Sequence, residues 1–258
     1  MRSSKMERRK KGTWFYNLRV SNEPAIGNAA YVPAKIEHVA NSVTHAFFIL
    51  PSITAGYGMI KEACNPIERS NAVLFTVALV TLFSVSTCFH TLCLCGQAGK
   101  LRFYFHMTDR AVIYLFIAAS YTPWLTIMPV GFFGFHLRWL MWFGALLGIT
   151  YSYCFYEKNK RLETILYLIL AVAPSLAVLE VPGMDGSYEL AFGGLVYLLG
   201  VLFFKSDGIV PFAHAIWHLF VVGGAFIHQY AIQEYLIGPL NFTKAGEIIH
   251  NATCASRS

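Results

Sequence analysis

Phe212-Ala213-His214-Ala215-Ile216-Trp217-His218 opens a long apolar stretch, residues 210–236. That stretch reads as a helix long enough to cross a membrane. An α-helix turns once every 3.6 residues, so the imidazoles of His214 and His218 leave one face. Histidines at i, i+4 on a helix can hold one metal ion. Ionisable groups at membrane depth are rare and usually functional. The question the stretch raises is whether other ligands meet the pair.

The rest of the chain has the same character. Of 258 residues, 56% are hydrophobic and 13% charged, against about 25% charged in soluble domains. Mean hydropathy is +0.50. Six further spans stand at roughly 39–60, 71–95, 105–127, 136–156, 162–180 and 188–204. The fold class expected is all-α: a polytopic membrane protein built as a seven-transmembrane helix bundle. Residues 1–35 form a basic N-terminal segment, 36–236 the bundle and 237–258 a tail. The start, Met6-Glu7-Arg8-Arg9-Lys10-Lys11, leads into the mixed segment Gly12 to Val20 and not into the apolar core of a signal peptide.

Lys and Arg mark the cytosolic side of a membrane protein. Eight of the 20 precede span 1: Arg2, Lys5, Arg8, Arg9, Lys10, Lys11, Arg19 and Lys35. Lys100, Arg102, Lys158, Lys160, Arg161 and Lys205 fall on the same side, and the opposite loops are poorer. The N-terminus is therefore expected in the cytosol and the C-terminus outside or in a lumen. Asn241-Phe242-Thr243 and Asn251-Ala252-Thr253 are N-glycosylation sequons, usable only in such a tail. A pI near 9.0 does not imply nucleic-acid binding, because the basic residues follow membrane topology.

With that orientation, span 2 ends on the cytosolic side and spans 3 and 7 begin there. Ser86 and His90, again i, i+4, lie near the end of span 2. His106 and Asp109 open span 3. Three helices distant in sequence thus place ligand-type side chains in one layer with His214 and His218. His90, His214 and His218 match the donor count of a catalytic zinc site, with a fourth position for water. Asp109 is the candidate general base, and Ser86 a hydrogen-bonding partner for water or a substrate carbonyl. The competing reading makes each histidine an ordinary helix–helix hydrogen bond. The pair is not the metalloprotease motif, since position 215 is Ala and supplies no glutamate.

Other residues carry two readings each. Glu37 and Asn41 either line the same cavity or brace span 1 against span 7. His45, one turn further, reads as packing. Asp207, in Lys205-Ser206-Asp207-Gly208, reads as a cap or turn before span 7. Cys93 and Cys95 suit apolar packing or palmitoylation, and Cys64 and Cys254 would share one side and can pair. The basic start, with Trp14, Phe15 and Tyr16, suits an anionic membrane surface or a topology signal.

Taken together, these residues resemble the progestin and adipoQ receptor (PAQR) family, related to bacterial hemolysin III proteins. The marks are Glu37 with Asn41, Ser86-x-x-x-His90, Asp109 and His214-x-x-x-His218, over roughly residues 36 to 236. Phe105-His106-Met107-Thr108-Asp109-Arg110, Ile117-Ala118-Ala119-Ser120-Tyr121 and the run from Phe203 to His218 resemble its monocyte to macrophage differentiation factor group. The resemblance implies seven helices, a cytosolic N-terminus and zinc on His90, His214 and His218. It implies that Asp109 contacts the zinc through water, with Ser86 beside it. Members of the family act as hormone receptors or hydrolyse the amide of ceramide. One departure is Asp109-Arg110-Ala111-Val112-Ile113, where the adiponectin-receptor branch has Tyr-x-Gly-Ile after the aspartate. Arg110 would hold a carboxylate or phosphate, or snorkel to the interface.

Two functions are expected from this: a zinc-dependent amidase acting on a ceramide-like or fatty-acyl lipid, or a signalling scaffold in which zinc is structural. Partners are then a membrane lipid and cytosolic signalling proteins, and the location is the Golgi, another endomembrane or the plasma membrane.

Overall fold

The computed structural model describes residues 22–23, 31–128, 131–156, 158–174 and 185–238. Among these residues run seven helices: α1 Lys35–Glu62, α2 Pro66–Leu94, α3 Lys100–Ile127, α4 Phe132–Cys154, α5 Lys160–Val172, α6 Ser187–Phe204 and α7 Ala213–Leu236. Strand-like pairing in the described residues is limited to one isolated bridge, Asp207 to Val210. Five helices, α1, α2, α3, α6 and α7, are long and apolar enough to cross a membrane. Among the described residues, α4 and the 13-residue α5 are not among them. The protein is a multi-pass membrane protein.

The helix starts show local causes. Asn65 accepts a hydrogen bond from the Glu68 amide at 2.9 Å, and Pro66 follows in the first turn of α2, a favoured pairing. Asn159 caps α5 through the Leu162 amide at 3.0 Å. Gly99, with φ 106, enters α3 from a conformation that favours glycine. Four helices begin four or five residues earlier than hydropathy suggests, at 35, 66, 100 and 132. A hydropathy boundary stops at a charge or polar residue, whereas the helix continues through it. At α7 the sign reverses: the helix starts at 213, because Phe212 takes a left-handed conformation, φ 59.

Polarity is inverted relative to a soluble bundle. Phe47, Leu50, Phe132, Trp139 and Leu202 face outward, while Asn41, His45, His90, His218, His228 and Gln229 are buried. In a membrane the outward face meets hydrocarbon, so polar groups gather inside. The apolar core centres on Phe75, Leu79, Phe83 and Tyr114. α1 packs closely on α2: a Cβ added at Gly56 would run into Thr76, the small-residue contact common between membrane helices.

Contacts join α1 to α2, α2 to α3, α3 to α4, α6 to α7 and α1 to α7, while α5 leans on α3 and α4. Between α1, α2, α3, α5, α6 and α7 lies a cavity of about 1010 Å³. Cys64 is disulfide-bonded, and Cys88, Cys93, Cys95 and Cys154 are free thiols. Cys254, Asn241, Asn251, the basic run before Val20, and the part of span 5 beyond 174 lie outside the described residues.

Candidate metal centre

His90 reaches the bundle interior from the last turns of α2, and His214 and His218 from the first turns of α7. One ring nitrogen of each lies within 4.8 Å of the other two. The ring centroids of His90 stand 5.3 Å from both partners, and those of His214 and His218 stand 4.7 Å apart.

Each ring has its Nδ1 engaged elsewhere. His218 Nδ1 donates to the Asn41 carbonyl at 3.2 Å, with the Thr44 hydroxyl 3.1 Å away. His214 Nδ1 faces Asp207 Oδ2 at 3.3 Å. His90 Nδ1 lies 3.3 Å from His38 Nδ1 and 3.5 Å from the Asn41 amide. With the proton on Nδ1 in each case, Nε2 keeps its lone pair for a shared ion. Metal-binding histidines are oriented in this way, by a second contact through the other nitrogen. His90 Nε2 is buried with no hydrogen-bond partner, an arrangement that costs stability unless something binds it. The donor set therefore fits a metal ion.

Asp109, on α3, lines the cavity and lies close enough to interact with both His214 and Ser86. Ser86 is 2% exposed, and its Oγ has no partner within normal hydrogen-bond geometry. A carboxylate and a hydroxyl thus stand beside three nitrogen donors in the wall of a largely apolar chamber.

A family model described as Haemolysin-III related matches residues 34–229. This chain belongs to the haemolysin III (PAQR) family. It is 44% identical over 230 residues to the human Monocyte to macrophage differentiation factor, covering 88% of this chain and 96% of that protein. It is 33% identical over 208 residues to Hemolysin-3 of Bacillus cereus, covering 78% and 92%. With the Hemolysin-3 homolog of Bacillus subtilis it shares 34% over 210 residues, covering 78% and 95%.

In this haemolysin III relative, the other residues singled out in the sequence take definite places around the triad. Glu37 and Asn41 do not border the cavity. Glu37 accepts from the Tyr31 hydroxyl and the Ala34 amide at 2.7 Å each, and faces the Phe212 amide at 3.4 Å. It thereby ties the start of α1 to the left-handed residue that begins α7. Burial, and then this bond to Glu37, push the Tyr31 phenol up to about 12. Asn41 touches two members of the triad at once.

Arg110 does line the cavity, but its guanidinium pairs with Glu163 of α5. Glu163 also accepts from Ser152 and Tyr167. Arg110 thus holds a carboxylate, supplied by the protein's own Glu163, and does not snorkel to the interface. His106 lines the cavity, stacked on Phe89 with centroids 4.6 Å apart and bonded to the Tyr156 hydroxyl.

His45 stacks on His218 at 3.7 Å between centroids. Asp207 does more than turn the chain, since it orients His214. His38 escaped notice in the sequence, although it lies seven residues before His45, two helical turns away on the same stripe.

Proposed function

We propose that this protein binds zinc through His90, His214 and His218 and hydrolyses the amide of an N-acyl lipid, ceramide-like in class, within the membrane. The observation that carries the reading is the convergence of three oriented imidazoles on the wall of a cavity of about 1010 Å³. When bound, zinc supplies a Lewis acid that polarises a carbonyl and acidifies water. Asp109 takes the proton of the attacking water and returns it to the departing amine. Ser86 Oγ donates to the substrate carbonyl or holds the water. The apolar lining, including Ile113, Phe116, Ile117 and Leu198, holds the acyl chain and excludes bulk water. Water adds across the C–N bond, giving a fatty acid and an amine. The N-terminal end of the bundle faces the cytosol, on the Golgi, another endomembrane or the plasma membrane, and the product serves signalling.

The test is fatty-acid release from a panel of N-acyl lipids by zinc-loaded protein, wild type beside Asp109→Asn. General acid–base groups contribute about 10²–10⁴-fold, so the variant is expected to lose at least about a hundredfold in rate while keeping its zinc. No release from zinc-loaded wild type would sink the hydrolase.

A second reading rests on the outer contacts of the triad, which pin α1 to both α2 and α7. In it zinc is structural, and the protein is a scaffold for cytosolic signalling partners. Asp109→Asn would then leave signalling intact.

A further inference from the structure

The far end of the cavity carries a second polar cluster that this chemistry does not use. His228 follows His218 by ten residues on α7, a rise of about 15 Å along the helix. It is 1% exposed, it lines the cavity, and neither ring nitrogen has a hydrogen-bond partner. The Leu190 carbonyl lies toward the ring without completing a bond. Tyr197 of α6 stands edge-on to it at 5.4 Å, its hydroxyl also buried and unpartnered. Tyr121 of α3 stands edge-on at 6.1 Å and donates to the Ala171 carbonyl at 2.8 Å, which leaves its oxygen able to accept.

The helices are shaped around these rings. A Cβ on Gly193 would come within 2.6 Å of His228 Nε2, and one on Gly224 within 2.8 Å of the Tyr197 ring. Glycine on each helix lets the opposing ring reach the cavity wall.

Buried polar atoms without partners are few in native proteins, because each forfeits its hydration. Here three stand in one wall: both nitrogens of His228 and the oxygen of Tyr197. A neutral imidazole offers one donor and one acceptor, and a phenol both. The charged residues that line the cavity, Arg102, Asp109, Arg110, Lys160, Lys205 and Asp207, belong to the triad's end. The matching group is therefore neutral and both donates and accepts.

We infer that the cavity takes a lipid with polar groups at both ends, the second a hydroxyl bound by His228 and Tyr197 about 15 Å from the triad. This rests on the lipid reading above and specifies its ligand.

The test is binding of saturated fatty acids of increasing length, each with and without a terminal hydroxyl. The readout is tryptophan fluorescence, since Trp217 lines the cavity. At the length that spans the two poles, the hydroxyl is expected to tighten binding about three- to tenfold. Combining His228→Leu with Tyr197→Phe should abolish that preference, so that hydroxylated and plain acids bind alike at every length. Tyr197→Phe alone keeps the ring and its packing, and should remove part of the preference. Equal affinity at every length in wild type, or a preference that survives the double variant, would overturn the inference alone. Zinc-loaded wild type that binds no acid would overturn the lipid reading with it.

Discussion

His218 and His228 sit on the same helix and border the same cavity, yet their surroundings are opposite. His218 donates Nδ1 to a backbone carbonyl, stacks on His45 and has two other imidazoles within ring contact. His228 has neighbours of the right chemistry and no completed bond. The difference teaches how to separate two kinds of buried histidine. A ring with one nitrogen committed to the protein is already turned for a metal, because tautomer and direction are fixed before the ion arrives. A ring with both nitrogens uncommitted is suited to a ligand that brings its own hydrogen bonds.

Affinity for the proposed zinc gives a single scale on which to break that contrast. The largest effect belongs to His218→Ala, which removes one of three donors. Zinc per chain, by elemental analysis after dialysis, should fall to background, and the bundle should unfold at lower temperature because α7 loses its tie to α2. Retained zinc would show that the triad is not its site.

Next comes Asp207→Asn, which keeps the shape and removes the carboxylate facing His214. Loss of such an outer partner typically weakens a metal by about 10–100-fold. Chelator competition measures it, and unchanged affinity would return Asp207 to the turn role read from sequence.

The triad was legible in the sequence and its supports were not, for a physical reason. Ser86 with His90, and His214 with His218, declare themselves through the helical repeat, and membrane depth aligns the two pairs. Asp207 lies in Lys205-Ser206-Asp207-Gly208, where any reader sees a turn. Its contact depends on how the chain reverses between α6 and α7. Arg110 finds Glu163 across 53 residues, a distance over which periodicity carries no information. His228 has Gly224 and Ile232 at i−4 and i+4, so no polar stripe marks it. Its partners come from α3 and α6, and only packing brings them together. The seven helices follow the apolar runs of the sequence, whereas the left-handed Phe212 that delays α7 carries no signal in its own residue type.

The smallest effects sharpen the contrast most. Asn41 touches His90 with its side chain and His218 with its backbone carbonyl, so Asn41→Ala deletes only the first contact. At 3.5 Å that contact is long, and His38 faces the same nitrogen at 3.3 Å. Turning the amide would let the unpartnered Asn41 Oδ1 accept from His90 Nδ1, reinforcing the tautomer that frees Nε2. A redundant neutral bond is worth about a few-fold, so Asn41→Ala should weaken zinc by less than about tenfold. His228→Leu should leave zinc affinity where it was, since none of the triad's contacts involves that ring. If chelator competition found His228→Leu as costly as Asn41→Ala, the two ends of the cavity would be one coupled site. The division between a metal pole and a ligand pole would then have to be abandoned.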